Sequence, residues 1–150
     1  MNYRIATIAD LDKLTRLRMA MRRELDADFQ EEFLLPLTRD FFQRNISNGS
    51  HVVFVCEDEG RLIADAGLTL FEMMPTTSFP NGKVARLMNM YVVPEYRRKG
   101  IAKRLLEILA AYAREIDCAR IMLNPSAAGK QLYLSFGFQT MDDEYAYRLK

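Results

Sequence analysis

Hydrophobic and polar positions follow one another along the chain in blocks that predict alternating strands and helices. Apolar residues occupy nearly every position from 84 to 93, which predicts a strand buried on both faces. The segment 101–116 instead places apolar residues at helical spacing with charges between them, which predicts an amphipathic helix. Pro94 separates the two segments, because a proline holds the preceding residue extended and donates no hydrogen bond to a sheet.

The rest of the chain continues this alternation. Thr7 and Asp10 have the spacing of a capping box, which predicts the start of a helix. The stretch 26–38 contains Pro36 and is predicted to be irregular, whereas the turn 58–60 predicts an antiparallel hairpin. In chain order we predict a strand over 3–6, a helix from 7 to about 26 and a helix over about 39–45. Strands over 51–57, 61–71 and 84–93 follow, then a helix over 101–116, a strand over 119–124, a further helix, and a closing strand pair over 138–141 and 144–149.

These elements predict an α/β fold whose central sheet is mixed and mostly antiparallel, with helices on both faces. The strands 84–93 and 119–124 flank a helix, so we expect them to be parallel and joined by a right-handed crossover. The 150 residues are the usual size of one domain. Residues 1–150 are therefore predicted to form a single domain with one core.

Composition narrows the classes of function. The net charge is only +1, so no global field attracts nucleic acid or an anionic membrane. No segment approaches the roughly 20 apolar residues that span a bilayer, and the N-terminus has no apolar signal core, so we expect a cytoplasmic protein. Cys56 and Cys118 have neither metal-ligand spacing nor a framework of pairs. We therefore expect no metal and two buried free thiols.

Positive charge is concentrated in the turn between the buried strand and the amphipathic helix. Arg97, Arg98 and Lys99 stand directly before Gly100 and the start of the helix. A helix N-terminus offers unpaired backbone N–H groups and a partial positive charge, which together attract an anion. Gly100 lets the backbone approach closely, and Ala102 keeps the next turn small. The turn is a candidate seat for a pyrophosphate, and a solvated cationic turn is the alternative.

The segment 97–102, Arg-Arg-Lys-Gly-Ile-Ala, resembles the Arg/Gln-x-x-Gly-x-Gly/Ala turn with which GNAT acyl-CoA N-acyltransferases hold the pyrophosphate of coenzyme A. The segment 127–133 and the following Gly137-Phe138 resemble the family's second helix, with its tyrosine and closing Gly-Phe. The first half of the chain resembles the family only in the order of its elements. The resemblance implies the GNAT fold, in which the two parallel strands splay apart and the pantetheine arm of the cofactor lies in the gap.

The same resemblance implies transfer of an acetyl group from acetyl-CoA to a primary amine of a small molecule or peptide, by direct attack in a ternary complex. Strand backbone would bind the pantetheine arm and offer an N–H to the developing oxyanion. Tyr133 would protonate the departing thiolate, because a phenol of pKa about 10 can serve a sulfur of pKa about 8.5 in a poorly hydrated site. The implied cofactor-binding residues are Met90, Tyr91, Val92, Arg97, Arg98, Lys99, Gly100, Ile101, Ala102, Asn124, Lys130 and Tyr133.

Several of these residues have ordinary alternatives. The side chain of Tyr133 is also compatible with a core role, and so are the side chains of the strand 84–93. Asn124 is either a turn residue beside a proline or a polar contact to the cofactor. Glu72 is the nearest candidate for a general base, since no acidic residue lies within 84–93; a solvated carboxylate and a water-relayed proton path are the alternatives. His51 has no partner visible in the sequence, and we expect a structural role.

No motif identifies the acceptor amine. The segments 26–38 and 73–83 and the closing strand pair are expected to shape its site, because such loops carry specificity. Acidic residues within 26–32 hint at a cationic acceptor. Two other classes stay open, namely a catalytically silent acyl-CoA-binding module and a phosphate-binding regulatory domain for another nucleotide, although the chain lacks both common nucleotide-binding glycine motifs. A homodimer is one possible assembly, and no nucleic-acid or membrane partner is expected.

Overall fold

The computed structural model describes residues 1–141 and 144–150, and these residues form a five-stranded sheet with helices on both faces. The strands are β1 (Asn2–Ile5), β2 (His51–Asp58), β3 (Arg61–Glu72), β4 (Lys83–Val92) and β5 (Ile121–Met122). The helices are α1 (Leu11–Leu25), α2 (Glu31–Ser47), α3 (Ile101–Glu115) and α4 (Lys130–Phe136), with short 3₁₀ turns at Ile8–Asp10 and Pro94–Tyr96. The strands stand in sequence order in the sheet, antiparallel except for the parallel pair β4–β5. The predicted fold class is therefore confirmed.

Two residues of β2 show that the helices cover opposite faces of the sheet. The ring of Phe54 packs edge-on against Tyr112 of α3, with centroids 5.3 Å apart. The imidazole of His51 packs instead against Phe41 and Phe42 of α2, at 5.2 and 5.7 Å. Because side chains three residues apart on a strand point to opposite faces, α2 and α3 enclose the sheet between them.

The start of the first helix is confirmed by the contacts of Asp10. Its carboxylate accepts a hydrogen bond from the backbone N–H of Thr7 at 2.9 Å, as the capping-box spacing predicts. Arg4 of β1 donates to both oxygens of the same carboxylate, at 2.8 and 2.9 Å, and also pairs with Glu57 of β2. Hydrogen bonding from Arg4 lowers the pKa of Asp10 to about 2, so the group stays charged and ties the first strand to the helix.

The prediction of an irregular stretch over 26–38 is wrong for its second half. The helix α2 begins at Glu31 and runs through Pro36. Proline removes one i→i−4 hydrogen bond, but both Pro36 and its would-be acceptor Glu32 are exposed, so water can satisfy the free carbonyl. Burial of Phe42, at 3% exposure, anchors the helix on the sheet. Tertiary packing therefore outweighs the local cost of the proline.

The predictions for the end of the chain are also wrong in part. The strand predicted over 119–124 is reduced to the two residues of β5. The described residues of the predicted closing pair, 138–141 and 144–149, form no strand, and residues 142–143, around which the pair was expected to close, lie outside the described residues. Tyr145 and Tyr147 are 96% and 89% exposed. The described residues of this segment form no ladder with β5, the outer strand of the sheet, and strand propensity alone does not make a strand.

A bulge interrupts β4 in the middle of the sheet. Asn89 pairs with Gly67 and Leu87 pairs with Leu68, so Met88 is an extra residue on β4. Met88 is 47% exposed, which corrects the prediction that this strand is buried on both faces. A bulge bends a strand and redirects its side chains. Here it lies next to the point where β4 separates from β5.

Two smaller expectations, the hairpin and the free thiols, can be compared with the described residues. The hairpin β2–β3 is confirmed as an antiparallel pair joined through residues 59 and 60. Cys56 is buried and Cys118 half-buried, and both are free thiols. Within 1–141 and 144–150, no helix is long and apolar enough to cross a membrane. Over the same residues, no three acidic, histidine or cysteine side chains cluster as metal ligands would.

Candidate active site

The two parallel strands are paired over a very short distance. Only Ala85 with Ile121 and Arg86 with Met122 pair between β4 and β5. From Leu87 to Val92, β4 pairs with β3 on one side and with no described strand on the other. Backbone N–H and C=O groups on a free strand edge require partners, and an extended ligand can supply them.

A cleft of about 510 Å³ runs from this free edge to the start of α3. Its walls come from the end of α1, from β4, from the cationic turn and from the start of α4. The cleft brings together eight of the cofactor residues predicted from the sequence: Met90, Tyr91, Val92, Arg97, Arg98, Gly100, Ile101 and Ala102. The side chains of Met90 and Val92 are half-buried against the core, so a ligand in the cleft meets mainly their backbone.

The first turn of α3 has the conformation of an anion seat. Gly100 precedes the helix with φ +78°, and Arg98 also has a positive φ of +63°. The first backbone bond of the helix joins the Arg104 N–H to the Gly100 carbonyl, so the N–H groups of residues 101–103 have no helical acceptor. A Cβ on Gly100 would meet no atom within 4 Å. Glycine is therefore required here by its left-handed conformation, whereas the sequence suggested a need for space.

Arg97 turns back across the cleft toward α1. Its Nη2 lies 2.7 Å from Oε2 of Glu24, and its Nε donates to the carbonyl oxygen of Val92 at 2.8 Å. The Tyr91 hydroxyl donates to Oε1 of the same glutamate at 2.6 Å. Hydrogen bonds from Tyr91 and Arg97 lower the pKa of Glu24. The remaining predicted cation, Lys99, lies outside the cleft lining with its Nζ 4.8 Å from the centroid of the Tyr96 ring.

The other predicted cofactor residues line a second cavity of about 430 Å³ beside β5. Asn124, Lys130 and Tyr133 contribute to its wall together with Arg86. Arg86 donates a hydrogen bond from Nη2 to Oδ1 of Asn124. The helix α4 contributes residues to both cavities, since Gln131 and Leu132 line the cleft.

Tyr133 combines a packed ring with an available hydroxyl. Its ring packs edge-on against Phe138, with centroids 5.7 Å apart. A Cβ on Gly129 would come within 3.1 Å of the ring, so the glycine makes room for it one turn earlier. Burial raises the pKa of Tyr133, which keeps the phenol protonated at neutral pH. No described residue hydrogen-bonds to the hydroxyl, so its proton is free to be donated.

The structure does not bring Glu72 to the cleft. Glu72 is exposed at the far end of β3, where it pairs with Lys83, while Ala66 is the partner of Met90. Six residues of strand separate Glu72 from Ala66, which is about 20 Å at the usual rise per residue. His51 is 2% exposed and shares a hydrogen bond of 2.9 Å with Thr69, which fits the structural role expected for it.

Two groups near the site were not found from the sequence. Glu24 lies 67 and 73 positions from the residues it contacts, and no local pattern connects them. Asn89 donates a hydrogen bond to the fully buried carboxylate of Asp65 and accepts one from Arg18 at 2.9 Å. Asn89 and Asp65 each interrupt an apolar strand, and that interruption is the signal that could have found them.

Comparison with known proteins identifies the family. The model of the Acetyltransferase (GNAT) family matches residues 18–138. The chain belongs to the GNAT acetyltransferase family. The match runs from the middle of α1 to the second residue after α4 and includes the cationic turn and the helix start of the cleft.

Relatives of this GNAT chain agree in sequence and in fold. It is 31% identical over 99 residues to a protein of Escherichia coli K12 called uncharacterized N-acetyltransferase YjgM, and the aligned part is 64% of this chain and 56% of that protein. A predicted acetyltransferase of Clostridium acetobutylicum, solved with acetyl-CoA, has a TM-score of 0.89 at 28% identity and covers 99% of this chain and 96% of its own. A GCN5-related N-acetyltransferase of Ralstonia eutropha JMP134 has a TM-score of 0.85 at 28% identity, with 99% of both chains covered.

Proposed function

We propose that this GNAT chain is an acetyl-CoA-dependent N-acetyltransferase that acetylates a primary amine of a small molecule or peptide by direct attack in a ternary complex. The observation that carries the proposal is the single cleft that joins the free edge of β4 to the N-terminus of α3. A long ligand with an anionic middle and an extended amide arm is complementary to both ends of this cleft. The relative solved with acetyl-CoA supports the same ligand.

Different residues of the cleft would bind the pyrophosphate and the pantetheine arm of acetyl-CoA. The free N–H groups at residues 101–103 and the exposed guanidinium of Arg98 would hold the pyrophosphate through charge-assisted hydrogen bonds. The backbone of β4 from Met90 to Val92 would pair with the pantetheine arm as a further strand does. Acetyl-CoA supplies an acetyl thioester at the end of that arm. The β4 backbone would also offer an N–H to the thioester oxygen as it gains negative charge.

Two proton transfers remain for side chains and water. The acceptor amine must be neutral to attack, although a free alkylamine has a pKa of about 10.4. Glu24 is a poor base, because Tyr91 and Arg97 occupy its carboxylate and lower its pKa, and Glu72 lies at the far end of the sheet. We therefore assign proton removal to a path through water. Tyr133 keeps its proton at neutral pH and would give it to the departing sulfur.

A thiol-release assay with acetyl-CoA across a panel of amines and peptides tests the proposal. We expect release that requires one class of acceptor, together with an acetylated product in the mass spectrum. Calorimetry should also show that CoA binds much more tightly than dephosphorylated pantetheine, because the anion seat contributes charge-assisted hydrogen bonds. A chain that binds CoA but releases no thiol with any amine of the panel would instead be a silent acyl-CoA-binding module.

A further inference from the structure

A small apolar cavity lies beside the cleft, between α2 and β4. Its volume is about 220 Å³, below the 300–1,000 Å³ typical of sites for drug-sized ligands. Its apolar walls are Leu34, Leu37, Phe41, Phe42 and Met88. Such a cavity accommodates one compact apolar group rather than a whole cofactor.

Arg18 of α1 brings a positive charge into this apolar cavity. Its Nη1 donates to Oδ1 of Asn89 at 2.9 Å and to the carbonyl of Met88 at 3.4 Å. No described residue accepts a hydrogen bond from its Nε or Nη2, and no described carboxylate lies within 4.0 Å of its guanidinium. A guanidinium fixed at one nitrogen, with donors left over in a poorly hydrated cavity, is built to receive a planar anion.

The neighbours of Arg18 keep it in place without neutralising it by direct contact. The side-chain amide of Asn89 is oriented by Asp65, because its Nδ2 donates a hydrogen bond to that buried carboxylate. His51, which also lines the cavity, is buried against two phenylalanine rings. The arginine is therefore held rigidly at the cavity wall by an amide whose own geometry is set by a second buried group.

The cavity adjoins the part of the cleft proposed for acetyl transfer. Met88 and Asn89 line the cavity, and the next residue of the strand, Met90, lines the cleft. Tyr91 of the cleft is two residues from Asn89 of the cavity, so on β4 their side chains share a face about 6.6 Å apart, and a molecule anchored in the cavity can present an amine at the cleft.

Charges at the end of α1 no longer favour a cationic acceptor. Asp26 pairs with Arg22 at 3.2 Å, and Glu31 pairs with Arg23. Two of the four acidic residues that hinted at such an acceptor are therefore matched by arginines of the same region.

We propose that this cavity is the acceptor subsite, and that the acceptor is an amine that also carries a carboxylate and a compact apolar side chain, as a hydrophobic amino acid does. The proposal rests on the proposed acetyltransferase function. The apolar group lies among the side chains of α2, and the carboxylate accepts hydrogen bonds from Arg18. The amine is left free to face the end of the acetyl-CoA cleft.

Binding without catalysis gives the first test. The probes are 3-phenylpropionate and its amide, 3-phenylpropionamide, which share the apolar group and differ in charge. By NMR titration or calorimetry we expect the acid to bind the parent protein about 10- to 100-fold more tightly, the range for a hydrogen bond to a charged group. Equal affinities of acid and amide in the parent protein would overturn the proposal, and this comparison needs no variant to fold.

Substitution of the arginine gives the second test. Arg18→Met should remove the preference for the acid while leaving the affinity for the amide within about twofold. Arg18→Lys keeps the positive charge but loses the paired N–H donors of the guanidinium. It should therefore retain only part of the preference for the acid. Arg16→Met removes the same charge from an exposed position of α1 and is the matched control, which should behave as the parent. A preference that survives Arg18→Met in a folded protein would contradict the assignment.

Acetylation of phenylalanine and of phenylalaninamide separates this inference from the proposed function. We expect kcat/KM to favour phenylalanine in the parent protein and to lose that preference in Arg18→Met. Acetylation of the amide in preference to the acid would overturn the acceptor class and leave the acetyltransferase function intact. Preferential binding of 3-phenylpropionate with no acetylation of any amine would overturn the function and leave the carboxylate subsite intact.

Discussion

Arg97 and Glu24 form an ion pair 2.7 Å long that joins the turn before α3 to the last turn of α1. Both side chains are about two-fifths exposed, at 42% and 41%. Exposed pairs of this kind are worth ~0.2–1 kcal/mol, so a phosphate can displace the carboxylate from the arginine at little cost. In the proposed complex with acetyl-CoA, Glu24 would therefore compete with the pyrophosphate for Arg97.

Glu24→Gln should therefore strengthen the binding of CoA. The amide keeps an oxygen for the Tyr91 hydroxyl and removes the charge that holds Arg97, so we expect a Kd about 2- to 5-fold lower, within the energy of an exposed pair. Calorimetry at 50 and 300 mM salt measures the effect, and the gain should shrink at the higher salt. A weaker affinity for CoA in the variant would show that Glu24 orders Arg97 for the ligand.

Gly100→Glu should abolish CoA binding in a protein that still folds. A Cβ at this position meets no atom within 4 Å, and the glutamate adds a negative charge at the proposed anion seat. Gly100→Ala is the matched control, because any Cβ carries the same conformational cost of about 1–2 kcal/mol at a positive φ. Calorimetry should show the alanine variant binding CoA, and the glutamate variant binding at least about tenfold more weakly than that. Similar affinities of the two folded variants would place the pyrophosphate elsewhere.

Tyr133→Phe should lower turnover and leave CoA affinity nearly unchanged. The variant keeps the ring packing on Phe138 and loses only the hydroxyl. General acid catalysis is worth about 10²- to 10⁴-fold, or roughly 3 to 5 kcal/mol of barrier. Steady-state kinetics, with a thermal melt to confirm folding, measure the loss. A turnover within a few-fold of the parent would assign Tyr133 to packing.

Two buried groups should make stability depend on pH in opposite directions. Burial raises the pKa of Asp65 from 3.8 to about 7, so its contribution to stability is full below pH 3.8 and is lost as the pH rises through 7. Burial lowers the pKa of His51 from 6.5 to about 4, so its contribution is full above pH 6.5 and is lost as the pH falls through 4. Between pH 4 and 6.5 the two slopes oppose each other.

Single substitutions should separate these slopes. In Asp65→Asn the free energy of unfolding should rise more steeply with pH from 4 to 6.5 than in the parent. The opposing contribution of Asp65 is removed in this variant, while that of His51 is kept. In His51→Gln it should instead fall as the pH rises from 4 to 7. Urea unfolding at four pH values across this range measures both, and identical profiles for the parent and the two variants would refute the assignment of these groups.

The sequence by itself determined the elements whose formation depends only on residues within one short segment. The buried strand, the proline and the amphipathic helix from 84 to 116 follow from periodicity and turn chemistry within one segment, and the structure places β4 and α3 within two residues of the prediction. The capping box at Thr7 is local in the same way. The cationic turn predicts an anion seat for the same reason, because the partial positive charge of a helix N-terminus arises wherever the rest of the chain lies.

Tertiary structure decided what depends on partners far along the chain. Pro36 lies within a helix because the sheet gives Phe42 a surface on which to pack, and the segment 144–149, strand-like in sequence, forms no ladder with β5 in the folded chain. Glu24 and Arg97 are 73 residues apart, and Arg18 and Asn89 are 71. Hydrogen bonds and ion pairs act over a few ångströms of space whatever the separation in sequence, so only the folded chain could show which charges meet in the cleft and which one lines the cavity beside it.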